Sequence, residues 1–185
     1  ANPDTSNWDT SSVTNMAAMF FGATAANPDT SNWDTSAVTN MGAMFFGATV
    51  ANPDTSSWDT SSVESMKAMF QVAKNANPIV IGWDTSKVVD MSYMFLGAES
   101  FDRDIGAWSI QALIHAENMF AGATLSTANY DSLLIGWNSQ TLQPGVSFSG
   151  GHSTYCTPDA IAARANMIST HGWTIADSGH ACPPT

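Results

Sequence analysis

The stretch Trp8-Asp9-Thr10-Ser11-Ser12-Val13-Thr14-Asn15-Met16-Ala17-Ala18-Met19-Phe20 decides the fold, because it returns along the chain every 25 residues. Self-similarity at a fixed period of about 20 to 50 residues is typical of stacked repeat architectures. We therefore divide residues 1–125 into five units and expect their large apolar residues to form an internal core ladder. The members of that ladder are Trp8, Trp33, Trp58, Trp83, Trp108, Met19, Met44, Met69, Met94, Met119, Phe20, Phe45, Phe70, Phe95 and Phe120.

The five units diverge along the chain. Units one and two (1–25 and 26–50) differ at three positions, the pairs Ser12/Ala37, Ala17/Gly42 and Ala25/Val50. Unit five (101–125) keeps little beyond its tryptophan and the Met-Phe pair. The sequence also starts in phase with a unit, although terminal repeats of an array normally carry a cap. We therefore expect either upstream units or an open end that stacks on another molecule.

Each unit is predicted to contain one short helix and one short strand. In unit one, Val13, Met16, Met19 and Phe20 follow the spacing of one helix face, which predicts a helix over about residues 12–21. Gly22 follows at the position where a helix commonly ends in a left-handed residue. The segment 5–8 is predicted to be a short extended rung that pairs with its equivalent in the next unit.

The centre of the repeat resembles that of the BspA-like leucine-rich-repeat surface proteins of bacteria. Residues 33–41, Trp-Asp-Thr-Ser-Ala-Val-Thr-Asn-Met, follow the family pattern closely, and Phe101, Ile105 and Trp108 match its opening. The resemblance implies an α/β repeat solenoid, a right-handed leucine-rich-repeat-like coil, on an exported or surface-anchored protein with an adhesive or protein-binding role. Threonine stands where the family usually has Ile or Val, which trims the core on that side.

Residues 126–185 are predicted to be a C-terminal capping region. The pattern predicts a short helix over 130–137, a rung at 146–148, a helix over about 158–169 and a last strand at 173–175. For the second helix, Ile161, Ala165 and Ile168 are predicted to face inward.

The two cysteines, Cys156 and Cys182, both lie in this region and are predicted to form a structural disulfide. Such a bond indicates an oxidising compartment. Together with the resemblance, it predicts an extracellular or cell-surface location in a bacterium.

The charge balance excludes some partners. The chain has 16 Asp and Glu residues against 5 Lys and Arg residues, a net charge of −11. Nucleic acid and anionic membranes are therefore not expected partners, since phosphate binding needs clustered cations. No apolar run in the sequence is long enough to span a bilayer, so no membrane insertion is expected in this segment. The predicted partner is a protein or surface ligand, or another copy of the chain.

No arrangement of residues predicts catalysis. Nucleophile motifs such as Gly-x-Ser-x-Gly and glycine-rich phosphate loops do not occur, and no paired-carboxylate signature stands out. The histidines, which lie in unit five and beyond, are predicted to be surface or capping residues. We therefore predict a protein that is not an enzyme and that needs no cofactor.

Two sets of polar columns leave alternatives open. The aspartates are predicted to cap helices, with calcium bound between them as the alternative, because hard cations take oxygen ligands. The threonines are predicted to form turns and caps, with a flat ice-binding face as the alternative. The aspartates are Asp9, Asp34, Asp59 and Asp84; the threonines are Thr5, Thr30, Thr55, Thr10, Thr35, Thr60 and Thr85.

Three functions follow from the sequence, in decreasing order of preference. The first is a non-catalytic adhesion or protein-interaction module of a cell-surface protein. The second is a structural subunit of an extracellular filament built by end-to-end stacking. The third is a repeat face that binds ice or calcium.

Overall fold

In the computed structural model, the described chain runs from residue 2 to residue 182. Its regular elements are two helices, α1 (Thr127–Asn138) and α2 (Pro158–His171), and two strands, β1 (Ser147–Ser149) and β2 (Thr174–Ala176). The strands pair in parallel, with Phe148 opposite Ile175. All four elements lie in the C-terminal region, whereas residues 2–125 are built from turns and isolated bridges.

The five units lie on one another in register. Single parallel bridges join equivalent positions of consecutive units, in the order Asn15, Asn40, Ser65, Asp90 and His115. Backbone N–H groups of one unit donate to carbonyls of the next; Met16 N lies 2.9 Å from Asn40 O. The predicted right-handed, leucine-rich-repeat-like solenoid concerns the path of the whole chain, and it stays a prediction.

The short helix predicted for each unit is wrong. Ala18, Ala43, Ala68, Tyr93 and Asn118 have φ between 53° and 61°, a left-handed conformation that an α-helix does not accommodate. The N–H groups that an α-helix would direct to its own carbonyls point instead to the next unit, as in the bonds from Phe20 N to Met44 O and from Gly22 N to Phe46 O. Bonding between units therefore replaces bonding within a helix.

The predicted strand at 5–8 is also wrong. Trp8 N donates to Thr5 O at 3.2 Å, which closes a turn. Beside this turn, the asparagine side chains form a column: Asn27 N donates to Asn2 Oδ1, Asn52 N to Asn27 Oδ1 and Asn77 N to Asn52 Oδ1, at 2.7 to 2.9 Å. Each unit is thus a series of turns whose spare polar groups bond to the neighbouring unit.

The C-terminal region continues the stack with different local structure. The indole Nε1 of Trp137 donates to Ile105 O at 3.1 Å, as Nε1 of Trp108 donates to Val80 O at 3.3 Å. Ala116 forms a parallel bridge with Phe148, which extends the line of bridges into β1. The tryptophan ladder therefore goes on beyond unit five, although its spacing in the sequence changes.

The helix α1 approaches unit five backbone to backbone. A Cβ built on Gly136 would lie 2.1 Å from Gly106 O, and one on Gly106 would lie 2.4 Å from Ser132 O. No side chain fits between these segments, so two glycines set the distance between the array and α1.

Elements of the C-terminal region lie close to their predicted positions, but the predicted face of α2 is wrong. The helix buries Ala160, Ala163 and Met167. Ile161 and Ile168 are exposed instead. Two of the three buried residues are alanines, and the isoleucines lie on the outer side of the helix. Within residues 2–182, no helix combines the length and apolar composition needed to cross a bilayer.

Candidate binding surfaces

Most of the predicted ladder is internal. From unit two onward, its tryptophan, methionine and phenylalanine members are buried. Consecutive tryptophan rings stack with centroids 5.9 to 6.3 Å apart. The exceptions are in unit one, where Trp8 is 44% exposed and Met19 is only partly buried. These residues therefore serve the core, and only the outer side of unit one leaves them accessible.

The threonine columns are internal too, which corrects the alternative of a flat ice-binding face. Thr5, Thr30 and Thr35 are buried, like the other members of both columns. Their hydroxyls donate to carbonyls of the next unit: Thr30 Oγ1 to Asp54 O at 2.5 Å and Thr35 Oγ1 to Asp59 O at 2.8 Å. A hydroxyl that is buried and bonded to a carbonyl cannot present itself to ice. The threonines replace apolar core residues and join the units.

The aspartate columns close small turns rather than capping helices. Asp34 Oδ1 accepts from Ser36 Oγ at 2.6 Å and from Ser36 N at 3.0 Å. The hydroxyl bond and then the backbone bond lower the pKa of the Asp34 carboxyl below its ordinary value, against a smaller repulsion from Asp9. Among residues 2–182, no group of three or more His, Cys, Asp or Glu side chains is arranged to hold a metal ion. Calcium binding by these columns stays a prediction.

A disulfide and an ion pair hold the end of the C-terminal region. Cys156 and Cys182 are bonded, with Cα atoms 4.8 Å apart. Arg164 Nε donates to Asp177 Oδ2 at 2.8 Å, and the Tyr130 hydroxyl donates to the same oxygen at 2.8 Å. Burial, followed by the Asp177 charge, raises the pKa of Tyr130 far above its ordinary value, so the phenol stays protonated.

Among residues 2–182, the histidines belong to no cluster of three or more metal-ligating side chains, and His180 Nε2 lies 3.9 Å from Cys182 Sγ beside the disulfide. His115, His152 and His180 are exposed, and His171 ends α2 half-buried. His115 Nδ1 lies 3.9 Å from Glu117 Oε2, a solvent-exposed contact. Their positions are those of surface residues.

The most distinctive exposed feature is a groove on units one to three. Phe21, which is 57% exposed, stacks on the half-buried Phe46 with centroids 4.5 Å apart and rings tilted by 9°. The groove has a volume of about 340 Å³, and small residues form part of its lining. We call it the Phe21 groove; it is lined by Ala17, Phe21, Asn40, Gly42, Ala43, Phe46, Ser65, Lys67 and Ala68.

Some polar groups that line the Phe21 groove already form contacts within the protein. Asn40 Oδ1 accepts from Gly42 N at 2.8 Å, which closes a turn. Lys67 Nζ lies 3.9 Å from Asp90 Oδ2, and the lysine side chain is more than half exposed. The asparagine amide N–H groups and the ammonium group are therefore positioned at the rim, where they are able to donate to a ligand lying on the phenylalanines.

Sequence reasoning missed this groove because it assigned the Met-Phe pair to the core and passed over the next residue. Phe21 and Phe46 follow the buried Phe20 and Phe45 directly. Two adjacent aromatic residues in a turn cannot both face inward, and that was the available signal. The equivalent residue in unit three is Gln71, so the aromatic surface is confined to the first two units.

A protein family described as "Mycoplasma protein of unknown function, DUF285" matches residues 1–81 and 48–145. The chain belongs to this family. The second DUF285 match extends past unit five and through α1, the segment in which Trp137 continues the tryptophan ladder. No curated protein and no solved structure matches the chain.

Proposed function

We propose that this DUF285 protein is a non-catalytic protein-interaction module of an extracellular or cell-surface bacterial protein. The observation that carries the proposal is the Phe21 groove, an exposed stacked aromatic pair in an array whose other repeated aromatic residues, Trp8 apart, are buried. Exposed apolar patches with polar rims mark interaction sites, and aromatic residues are enriched at such interfaces. The partner would place an aromatic or large aliphatic side chain on Phe21 and Phe46.

The architecture supports this role. Bonds between units use the threonine hydroxyls, the asparagine amides and the backbone, so outer side chains such as Phe21 are not needed to join the units. An array of this kind tolerates different side chains on its surface while its interior stays the same. The resemblance to BspA-like proteins points to the same function, and we propose with it a right-handed leucine-rich-repeat-like solenoid.

The proposed location rests on the disulfide. A bond between Cys156 and Cys182 persists in an oxidising environment and is rare in a reducing cytosol. An extracellular or cell-surface site fits both this bond and an adhesive function.

A random peptide library displayed on phage tests the groove. Selection on the wild-type protein is expected to enrich peptides with an aromatic or large aliphatic residue. The matched control is the double variant Phe21→Gln, Phe46→Gln, because unit three carries Gln71 at the same position in the native stack. Selected peptides should bind the double variant about tenfold more weakly or worse, since aromatic anchors dominate such contacts.

Two results would contradict the groove as the binding surface. One is the absence of any sequence preference after selection on the wild-type protein. The other is equal affinity of the selected peptides for the wild-type protein and for the glutamine double variant, provided that both have the same melting temperature.

A filament subunit is the second candidate, and the bonding between units favours it. Carbonyls of Asn40, Gly42, Met44 and Phe46 accept bonds from unit one. Within residues 2–182, the equivalent carbonyls of unit one accept no backbone hydrogen bond. Unpaired backbone edges of this kind are templates for another chain. Another unit, from an upstream segment of the same chain or from a second copy, would supply N–H donors to this row and would cover Trp8.

Electron microscopy of the purified protein, with analytical ultracentrifugation, tests the second candidate. Regular filaments that Trp8→Ser disperses would support stacking through unit one. A single monomeric species at high concentration would contradict it and leave the interaction module as the proposed function.

A further inference from the structure

A second pocket lies where units four and five depart from the repeat. Units one to three carry Asp-Thr-Ser after the proline, and unit four carries Ile79-Val80-Ile81. Unit five replaces the proline itself with Arg103. These departures come together in one pocket of about 250 Å³, which we call the Arg103 pocket and which is lined by Ile79, Val80, Ile81, Arg103 and Asp104.

The wall of the Arg103 pocket is apolar and open. Ile81 is 84% exposed and Ile79 is 47% exposed. In the earlier units the equivalent residues form a hydrogen-bonded Asp–Ser turn, for example Asp54 Oδ1 with Ser56 Oγ at 2.6 Å. Unit four has therefore exchanged a self-contained polar turn for two aliphatic side chains in water, an arrangement with no role in the core.

The pocket is also lined by an incompletely bonded guanidinium group. Arg103 Nη2 donates to Asn77 O at 2.9 Å. Its Nε is buried and has no hydrogen-bond partner among residues 2–182. None of the ion pairs of the described chain includes Arg103. A guanidinium carries five N–H donors in a planar fork that matches a carboxylate.

The neighbouring carboxylates are engaged elsewhere. Asp104 Oδ1 accepts from Gly106 N at 2.9 Å and from Ser132 Oγ at 2.7 Å. Asp54, on the other side of Arg103, bonds to Ser56. Arg103 thus forms no ion pair within residues 2–182 although Asp54 and Asp104 line the pockets beside it, because Oδ1 of each of those carboxylates closes a turn or bonds to α1.

We infer that the Arg103 pocket binds an acidic peptide segment in which an Asp or Glu side chain lies next to a branched aliphatic residue. The carboxylate accepts from the guanidinium, and the aliphatic side chain packs on Ile79 and Ile81. A charge-assisted bond of this kind is stronger than a neutral one and specific in its geometry. The pocket shares no lining residue with the Phe21 groove, so the inference stands apart from that site.

NMR of the ¹⁵N-labelled protein provides a direct test. The chain has two arginines, and Arg164 is an internal reference because its Nε is already bonded to Asp177 at 2.8 Å. The probe is the capped peptide acetyl-Gly-Leu-Glu-Gly-amide. We expect the Arg103 side-chain signals and the backbone amide signals of Gly82 and Asp104 to shift in a saturable way, while the Arg164 Nε–H signal stays in place.

Matched probes separate the two contributions. Replacement of Glu by Gln in the peptide removes the charge-assisted bond, and replacement of Leu by Gly removes the aliphatic contact. Each is expected to weaken binding about tenfold, the effect of losing one good contact. A peptide with a free terminal carboxylate, acetyl-Gly-Leu, should bind more weakly than the glutamate peptide.

Protein variants complete the test. Ile81→Ser and Arg103→Gln are expected to weaken binding of the glutamate peptide about tenfold each. Ile114→Ser is the control, since Ile114 is also exposed but lies outside the pocket. Unshifted Gly82 and Asp104 signals at millimolar peptide would overturn the inference. Equal binding of the glutamine peptide, or tighter binding of acetyl-Gly-Leu, would also overturn it.

Discussion

The array of residues 2–125 and the C-terminal region of residues 126–182 stack in the same register but are held together differently. The array has turns, and its units are joined by many similar bonds, such as those of Thr35 to Asp59 and of Asn52 to Asn27. The C-terminal region has two helices, a short parallel sheet, the Arg164–Asp177 pair and the disulfide. Stability is therefore distributed in the array and concentrated in a few contacts at the C-terminal end.

Gly136→Ala is expected to have the largest effect on stability, because it forces the array and the C-terminal region apart. The added methyl would lie 2.1 Å from Gly106 O, so α1 would have to move away from unit five. We expect a loss of more than about 3 kcal/mol in the free energy of unfolding, measured by urea denaturation. Gly82→Ala is the control, since a methyl group added there would meet no atom within 4 Å. Similar losses in both variants would contradict the close approach.

Loss of the disulfide is expected to weaken the C-terminal region selectively. Cys156 and Cys182 are 26 residues apart, and closing a loop of that size stabilises by about 3 kcal/mol in the chain-entropy model. Cys156→Ser with Cys182→Ser should speed hydrogen exchange at the β2 amides far more than at the unit-three amides. Uniform acceleration along the chain would mean that the two regions unfold as one.

Asp177→Asn is expected to lower the free energy of unfolding by about 2 kcal/mol. This is less than the full effect of breaking a buried ion pair, because the Arg164 side chain is 21% exposed and partly solvated. The Asp177 side chain is 1% exposed and accepts bonds from both Arg164 and Tyr130. Thermal unfolding followed by circular dichroism measures the loss. Lys74→Gln, which removes an exposed pair with Glu99, should change stability by less than about 0.5 kcal/mol. An equal effect of the two substitutions would contradict the difference in burial.

Thr55→Val is expected to lower the free energy of unfolding by only about 1 kcal/mol, because the array is joined by many similar bonds and loses one of them. The substitution removes the bond from Thr55 Oγ1 to Ile79 O, which measures 2.6 Å. Unit four already has Val80 at the equivalent position, so valine fits the backbone there. Chemical denaturation of the variant measures the change, and Thr14→Val on the exposed surface is the control. A loss above that of Asp177→Asn would mean that stability in the array is not distributed.

Lowering the pH is expected to have the smallest effect on stability per residue, and that effect comes from protonation of aspartates in the array. Hydrogen bonds from the serine two residues on, hydroxyl first and backbone second, lower the pKa of seven array aspartates. A carboxyl group whose pKa is lower in the folded state than in the unfolded state stabilises the fold at pH values above its unfolded pKa of 3.8. This stabilisation is lost as the pH falls through the lower pKa of the folded state. Melting temperatures measured below pH 4 should therefore decrease, and Ser36→Ala should lessen the decrease. A melting temperature that is constant down to pH 2 would contradict this origin.

The sequence predicts the period, the ladder and the disulfide well, since each depends on identities at fixed spacing. It misleads at Val13, Met16 and Phe20, whose spacing fits a helix although Ala18 between them is left-handed. A period-3.6 pattern does not reveal that neighbouring units compete for the same N–H groups. That competition is a property of the stack and becomes visible only when the units are placed together.

The candidate surfaces were harder to predict for a related reason. Phe21 looks like a second core phenylalanine, and Ile79 and Ile81 look like a buried strand, until burial is known. Arg103 gives no signal on its own, because its importance comes from the hydrogen bond that its Nε does not form within residues 2–182. Exposure and missing partners are facts about three-dimensional neighbours, and one sequence does not contain them explicitly.

The in-register bonding has a consequence for how the number of units can change during evolution. Removal of residues 26–50 would bring Trp8 onto Trp58 and Thr10 onto Asp59, with the same bond types as before. Insertion of another such segment would also leave the types of bonds between units unchanged. We expect recombination between the coding segments of the first two units, whose amino-acid sequences differ at three positions, to lengthen or shorten the molecule in steps of one unit. Removal of unit two would also place Phe21 next to Gln71 and would delete Phe46, so a change in length would change the Phe21 groove as well.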